Sequence, residues 1–314
     1  MRKEELYYDS RDGINKVYAM YWIPDGTITG ILQIIHGMSE HIGRYDDFAS
    51  YMAGRGILVA ANDHIGHGKS LKDDKDKGYF CESDSVTVVT RDVHRLKKIT
   101  QEKYPGLPYV ILGHSMGSLI LRNYLFMYGK GIDGAIIMGT ANHGGLEIAG
   151  GKLLLKLIAA FKGWRYRSKF ADSIVNGNAN ARIADKRTDF DWLTKNESIV
   201  DKYIEDDLCG FLFTVNGLYM IIECVGKLNN KAAIDTIPKD LPLLIVSGSE
   251  DPVGSYTEGV KAAYEGYINA GMKNVSLKLY PGDRHEILNE TDNDKVYADM
   301  YEFVKNLCDN KTNK

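Results

Sequence analysis

The feature that most constrains this chain is an apolar run that stops at a Gly-x-Ser-x-Gly motif and is followed by an apolar helical pattern. The run covers 109–112, the motif centres on Ser115, and the helical pattern covers 118–128. This order predicts a buried strand, a sharp turn and a helix. Gly113 and Gly117 flank the turn, where the two backbones crowd any larger side chain. The turn would raise the Ser115 hydroxyl above the strand end and beside the first amides of the helix.

The motif alone does not decide the role of the serine, because a glycine-flanked turn without chemistry also fits it. The rest of the chain supplies further tests. Strands are expected at 30–35, 57–61, 132–138, 243–247 and 275–280, the first two of them buried, and helices at 45–55, 84–104, 257–271 and 293–308. Residues 14–23 are rich in strand-forming residues and bounded by turn signals, which predicts an antiparallel pair of strands near the start of the chain. The alternation predicts an α/β fold with a mostly parallel sheet and helices on both faces.

The alternation breaks between about residues 141 and 235, where the chain is helical or irregular and contains no proline. We therefore expect a core formed by residues 1–140 and 236–314. The segment 141–235 is expected to be an inserted helical cap over the carboxyl edge of the sheet.

A serine hydroxyl needs a general base, which is usually histidine. His285 is the best placed of the eight histidines, because it follows the last predicted strand, and sites of open parallel sheets form at the carboxyl ends of strands. His94 lies within a predicted helix, and His114 is expected to point away from Ser115. The alternative role for His285 is that of a solvated loop residue.

The base in turn needs an acid that fixes its tautomer. Asp251 follows the strand at 243–247 and so lies at the same sheet edge as Ser115. Its neighbour Glu250 is the nearest rival. The resulting chain order of nucleophile, acid and base is the order used by α/β-hydrolases.

The developing oxyanion needs N–H donors that are already in place. The amide of Met116, directly after the serine, is one candidate. The second is the amide of Met38, in the loop 36–41 that follows the strand at 30–35. A plain His-Gly strand ending is the alternative interpretation of that loop.

Five segments together resemble the monoacylglycerol lipase/lysophospholipase branch of the α/β-hydrolases, which is also grouped with serine aminopeptidases of the S33 type. They are 36–45 (HGMSEHIGRY), 63–70 (DHIGHGKS), 113–117 (GHSMG), 248–253 (GSEDPV) and 283–286 (DRHE). The resemblance implies the same triad and oxyanion donors. It also implies that Asp63 and His64 shape a loop below the site. Met38 stands where the family often has a small residue, so a narrower entrance is expected.

Bulk properties exclude several function classes. The net charge of −3 gives no basis for nucleic-acid binding. The four cysteines lack metal-like spacing and are expected to be free thiols in a reducing compartment. The first residues lack an apolar signal region, and no apolar run approaches a membrane span. A cytoplasmic protein is expected, with any membrane contact at its surface and with no metal or cofactor.

The predicted cap offers two apolar features. Residues 145–170 combine an apolar face with an excess of cationic side chains. A helix of this composition could pack its apolar face onto the core or lie on an anionic lipid surface. A second apolar cluster consists of residues 208–213 with Leu218, Met220 and Ile221, and would line an acyl tunnel or form cap core. The candidate substrate contacts from both features are Leu153, Leu157, Phe211 and Phe213.

The leading hypothesis is a serine hydrolase of lipid esters, with monoacylglycerol or lysophospholipid as substrate and an acyl-enzyme on Ser115. Another acyl substrate, such as a short ester, a thioester or a peptide N-terminus, would use the same machinery. Glu205, Asp206 and Asp207 would offer acids to a peptide amine. The third hypothesis is a binding protein without catalysis, because a fold does not imply an activity.

Overall fold

The computed structural model describes residues 1–142, 144–176, 179–228 and 230–312, so His143 lies outside the described residues. Its strands form one eight-stranded sheet. They are β1 (Arg2–Asp9), β2 (Lys16–Ile23), β3 (Gly30–Ile35), β4 (Ile57–Asn62), β5 (Tyr109–His114), β6 (Gly134–Met138), β7 (Leu243–Gly248) and β8 (Val275–Tyr280).

The strand order is β1-β2-β4-β3-β5-β6-β7-β8. β1 pairs antiparallel with β2, and β2 pairs antiparallel with β4, while the pairs from β4 to β8 are parallel. Parallel strands need a crossover between them, and the helices supply it. They are α1 (Asp46–Ala53), α2 (Ser85–Lys103), α3 (Met116–Tyr128), α4 (Gly145–Lys162), α5 (Lys169–Asn176), α6 (Glu197–Glu205), α7 (Val215–Leu228), α8 (Lys231–Ile234), α9 (Glu258–Asn269) and α10 (Asp294–Thr312).

The two faces of the sheet carry separate apolar cores. Along β3, Ile31 and Ile35 belong to the core covered by α2, α3 and α9. Leu32 and Ile34 point the other way, into the core covered by α1 and α10. This alternation follows from the two-residue period of a strand. Because both faces are covered, β3 to β7 are buried along their whole length.

The predicted fold class is confirmed, and the early antiparallel pair is present as β1 and β2. Several element ends differ from the predicted ones by one to four residues, and two examples follow. The helix after the elbow begins at Met116 rather than at 118, because the turn at Ser115 is a single residue long. The last helix continues to Thr312 rather than ending at 308.

Helices α4 to α8 all lie between β6 and β7 in the chain. Within this segment α4 packs on α7, and α7 also contacts α2 and α3 of the core. None of the helices in the described ranges is long and apolar enough to cross a membrane. All four cysteines are free and buried.

Candidate active site

The Ser115 backbone is strained in the way that a sharp strand-to-helix turn requires. Its φ is 54° and its ψ is −122°, a region that side-chain-bearing residues rarely adopt. A Cβ at Gly117 would lie 2.1 Å from the Ile35 carbonyl oxygen, and one at Gly113 would lie 2.4 Å from the Gly117 oxygen. The Ser115 amide donates to the Met138 carbonyl at 2.9 Å. Only glycine therefore fits at the two flanking positions, and the turn is fastened to β6.

Asp251 and His285 form a fully buried hydrogen-bonded pair. The His285 Nδ1 lies 2.9 Å from Asp251 Oδ1, and Asp251 also accepts from the Val253 amide and the Ser247 hydroxyl. Burial opposes ionisation of Asp251, but His285 and the other donors hold its pKa below the usual range. Burial lowers the pKa of His285, but the Asp251 carboxylate outweighs it and raises that pKa above 6.5. The carboxylate therefore orients the imidazole and would stabilise its protonated form.

The pair lies at the sheet edge that carries Ser115. A Cβ on Gly139, which follows the Met138 carbonyl bonded to the serine amide, would lie 3.1 Å from His285 Cε1 and 3.4 Å from Asp251 Oδ2. The Ser115 hydroxyl makes no hydrogen bond to His285 within the described chain. Such contacts are commonly long in free enzymes and tighten with substrate. The rival acid Glu250 is exposed and is not the residue that contacts His285.

The predicted oxyanion loop follows β3 and packs against the serine. A Cβ on Gly37 would lie 3.2 Å from Ser115 Cβ. Within the described residues the Met38 amide has no hydrogen-bond partner, and Met116 is the first residue of α3, where helix amides are free. Ser39 has a positive φ of 51°, and its carbonyl accepts from the Gly210 amide at 3.0 Å. Met116 follows Ser115 directly, and Met38 follows the Gly37 that packs against the serine; the role of the two amides as oxyanion donors stays a prediction.

A buried charge network supports this loop. Glu40 accepts from the Gly37 amide at 2.5 Å and from Arg44 at 2.9 Å. Arg44 also makes two hydrogen bonds to Glu286, at 2.5 and 2.7 Å. Burial raises the pKa of Glu286, but Arg44 holds it below the usual value. Glu286 follows His285 directly in the segment 281–286, which we name the base loop. The network therefore links the oxyanion loop to the base loop. Sequence reasoning assigned these residues no role, although the 36–45 and 283–286 segments contain all three.

His114 belongs to the site despite its expected orientation away from the serine. Its Nδ1 lies 3.0 Å from the Tyr45 hydroxyl, and its ring centroid lies 4.7 Å from that of His285. It is buried, and its ring is tilted by 39° to that of the neighbouring His285.

Asp63 and His64 lie where the resemblance implied, in a buried loop after β4. Asp63 accepts from the amides of Ile42 and Lys69, at 2.8 and 2.7 Å. Burial raises its pKa to about 6. The His64 amide donates to His36 Nε2 at 2.9 Å, immediately before the oxyanion loop. Through these contacts Asp63 and His64 stabilise the loops around the site.

The candidate substrate contacts divide into three environments. Phe213 is fully buried among Phe80 and His67, which favours the cap-core alternative, and its contact with a substrate stays a prediction. Leu153 and Leu157 are 61% and 50% exposed, because α4 buries its Gly151, Leu155 and Ala159 face instead, and their contact with a substrate stays a prediction. Phe211 is half-buried, and its carbonyl accepts from the Ser39 hydroxyl at 2.7 Å. Its substrate contact remains a prediction.

One described group of potential metal ligands, His41, Asp206 and Cys209, has its ligand atoms within 4.8 Å of one another. His41 Nε2 is already bonded to Asp206 at 2.8 Å, and its Nδ1 accepts from the Gly43 amide. The group therefore joins the oxyanion loop to the segment after α6 by hydrogen bonds.

Comparison with known proteins identifies the family. The profile described as serine aminopeptidase, S33 matches residues 26–292. The chain belongs to this family. Proteins similar to it include monoglyceride lipase of Homo sapiens, with 29% identity over 87% of this chain and 81% of that protein. Monoacylglycerol lipase of Mycolicibacterium smegmatis is 28% identical over 93% of both proteins.

The solved structures include a thermostable carboxyl esterase from Bacillus coagulans in complex with glycerol. It is 31% identical, with a TM-score of 0.91, over 98% of this chain and 99% of that one. The resemblance to the S33-type α/β-hydrolases inferred from the five segments is confirmed.

Proposed function

We propose that this S33-family protein is a serine hydrolase that cleaves carboxylic esters of lipids, with monoacylglycerol or lysophospholipid as substrate. The observation that carries the proposal is the buried Asp251–His285 pair beside the strained Ser115 turn. The similar proteins named as monoglyceride or monoacylglycerol lipases and as a carboxyl esterase support an ester substrate.

In the proposed mechanism, His285 takes the hydroxyl proton while Ser115 attacks the ester carbonyl. Asp251 keeps the Nδ1 proton in place, so that Nε2 is free to accept. The carbonyl oxygen gains negative charge, which the amides of Met38 and Met116 stabilise. His285 then gives the proton to the alcohol oxygen as the bond between that oxygen and the carbonyl carbon breaks. The acyl group stays on Ser115 as an ester.

The second half-reaction uses the same groups. His285 takes a proton from water, which attacks the acyl-Ser115 carbonyl, and the fatty acid leaves as the serine recovers its proton. This chain's residues supply the nucleophile, base, acid and oxyanion donors of both steps.

We also propose that residues 141–235 act as a cap and that α4 meets a lipid surface. Leu146 and Phe161 are 92% and 86% exposed on this helix, and Trp164 follows it. Lys156 and Lys162 are exposed on the same helix. A helix that is apolar on its outer face and flanked by cations suits an interfacial position. Such contact would deliver lipid esters from a membrane to Ser115.

The direct test of the nucleophile is labelling with a fluorophosphonate probe. The wild type should label, and Ser115→Ala should not, because the probe bonds only to an activated serine oxygen. Ser118→Ala is a suitable control, since this nearby serine in α3 donates its hydroxyl hydrogen bond to the Ser115 carbonyl rather than to the base. No labelling of a folded wild type would favour a binding protein over an enzyme.

The substrate class is tested by comparing hydrolysis of p-nitrophenyl esters of increasing chain length with that of aminoacyl-anilides. Lipid specificity predicts kcat/KM that rises from acetyl to longer acyl chains, and no anilide cleavage. Rates that peak at acetyl would reject the lipid substrate, and anilide cleavage would favour a peptidase.

A further inference from the structure

The loop that carries the base runs along a segment between α5 and α6, residues 191–195, which we name the strut. The His285 amide donates to the Trp192 carbonyl at 3.4 Å, and the Glu286 amide donates to the Leu193 carbonyl at 2.7 Å. Two successive residues of the base loop are therefore paired with the strut through the main chain. The strut comes from the proposed cap, whereas the base loop comes from the core.

A buried carboxylate fastens the same two segments. Glu290 is 1% exposed, and its Oε1 accepts from the Arg284 amide of the base loop at 2.7 Å. Its Oε2 accepts from the Lys195 amide and from the Thr194 hydroxyl of the strut, both at 3.0 Å. Hydrogen bonds to a charged acceptor are stronger than those between neutral groups. One side chain thus binds the residue before His285 and the end of the strut together.

The strut also contacts the imidazole itself. The ring centroids of Trp192 and His285 lie 5.1 Å apart at an interplanar angle of 39°. The core supplies the other neighbours of the imidazole, the ring of His114 and the carboxylate of Asp251. Trp192 also lines a cleft of about 330 Å³ that includes Arg284 and Tyr256. It therefore contacts both the base and an open cleft.

We propose that Glu290 and Trp192 are positioning residues for His285, so that the cap segment helps to hold the general base and does not act on substrate choice alone. The inference rests on the proposed function of His285. Glu290 fixes the base loop against the strut, and Trp192 limits the movement of the imidazole. Loosening either contact should slow the chemical step, because proton transfer from Ser115 depends on the position of Nε2.

The test compares Glu290→Gln and Trp192→Ala with Trp192→Phe and with Glu265→Gln, an exposed glutamate on α9. With soluble p-nitrophenyl butyrate, the first two should lower kcat by on the order of 10- to 100-fold with little change in KM. Trp192→Phe should recover most of the loss, because a ring still contacts His285. Glu265→Gln should match the wild type.

A spectroscopic readout separates positioning from general loss of structure. The downfield proton resonance of the Asp251–His285 hydrogen bond should broaden or disappear in Glu290→Gln and Trp192→Ala and persist in Trp192→Phe. Should Glu290→Gln fail to fold, the two Trp192 variants decide, since this side chain is only partly buried.

The outcomes distinguish this inference from the proposed function. A fluorophosphonate-labelled wild type whose Trp192→Ala variant keeps wild-type kcat and resonance would overturn the positioning role. An effect confined to KM would also overturn it, by making Trp192 a substrate contact. A wild type that does not label would instead reject the proposed function.

Discussion

At the scale of the residue, the site depends on a few backbone positions that tolerate one residue type. Ser115 has a positive φ, and Gly117 lies so close to the end of β3 that a Cβ would meet the Ile35 carbonyl at 2.1 Å. Strain of this kind persists only where the surrounding structure imposes it. The immediate surroundings also set the pKa of His285. Burial lowers this pKa, but the Asp251 carboxylate outweighs burial and raises it.

The raised pKa of His285 gives a pH prediction. The base must be neutral to accept a proton, so kcat/KM should rise with pH and reach half its maximum above pH 6.5, the ordinary histidine value. Removing the charge in Asp251→Asn should lower kcat by about 10⁴-fold, as loss of the orienting acid does in such triads. Steady-state rates between pH 5 and 9 measure both effects. A midpoint below 6.5 in the wild type would contradict a His285 pKa that Asp251 raises.

Gly117→Ala should destabilise the protein and impair the site. The new methyl group collides with the backbone of β3, which cannot move without opening the sheet. We expect a loss of about 1–3 kcal/mol in the free energy of unfolding, measured by urea denaturation. Gly266→Ala in α9 is the matched control, because nothing lies within 4 Å of its Cβ. That control should be neutral or stabilising by about 0.5–1 kcal/mol; equal effects at the two positions would contradict the crowding argument.

At the scale of the element, α4 differs from an ordinary surface helix. Leu155 and Ala159 face the protein, yet Leu146 and Phe161 are almost fully exposed. When a helix is apolar on both sides, leaving its outer face in water is unfavourable. This is why we propose that the outer face meets lipid, while the inner face packs on α7.

Leu146→Ser with Phe161→Ser should reduce binding to anionic lipid vesicles and reduce hydrolysis of vesicle-borne monoacylglycerol. Hydrolysis of a soluble short ester should remain unchanged, since neither side chain packs into the core. Vesicle sedimentation measures the binding, and rate assays with the vesicle-borne and the soluble ester measure the two hydrolysis rates. Ile14→Ser, which changes a 73% exposed apolar residue in the β1–β2 turn, is the control. Unaltered vesicle binding in the double variant would reject α4 as the lipid contact.

At the scale of the whole molecule, Arg44 connects parts that are distant in sequence. It binds Glu40 in the oxyanion loop and Glu286 in the base loop, and its guanidinium lies 4.7 Å from the ring centroid of Tyr203 in α6. The Tyr203 hydroxyl donates to the Ser39 carbonyl at 3.0 Å. Residues from three parts of the chain thus meet around one buried cation.

Arg44→Met should cost about 3–5 kcal/mol of folding free energy, because it leaves two carboxylates buried without their cation. Urea denaturation at neutral pH measures the loss. Adding Glu40→Gln and Glu286→Gln should restore part of it by removing the uncompensated charges. Arg55→Met, at a surface arginine that lies over the Tyr51 ring, is the control and should cost about 1 kcal/mol or less. Similar losses for the two arginines would contradict a buried network.

The local patterns of the sequence determined the mostly parallel character of the sheet, the elbow and the choice of the candidate triad residues. A strand buried on both faces is mostly or wholly apolar, as β6 is, and a turn as tight as that at Ser115 requires glycine on both sides. The chain order of Ser115, Asp251 and His285 at strand ends also followed, because parallel strands end at one edge.

Only the tertiary structure decided which partners surround those residues. Glu40, Arg44 and Glu286 are common residue types on a sequence, and folding alone brings residue 44 to residue 286. The same holds for Trp192 and Glu290 around His285, and for Phe213, whose apolar character suits a tunnel and a core equally. Periodicity reports which face of an element is apolar, whereas the partner that covers that face depends on contacts between distant segments. The pairings at the site therefore depended on the fold as a whole.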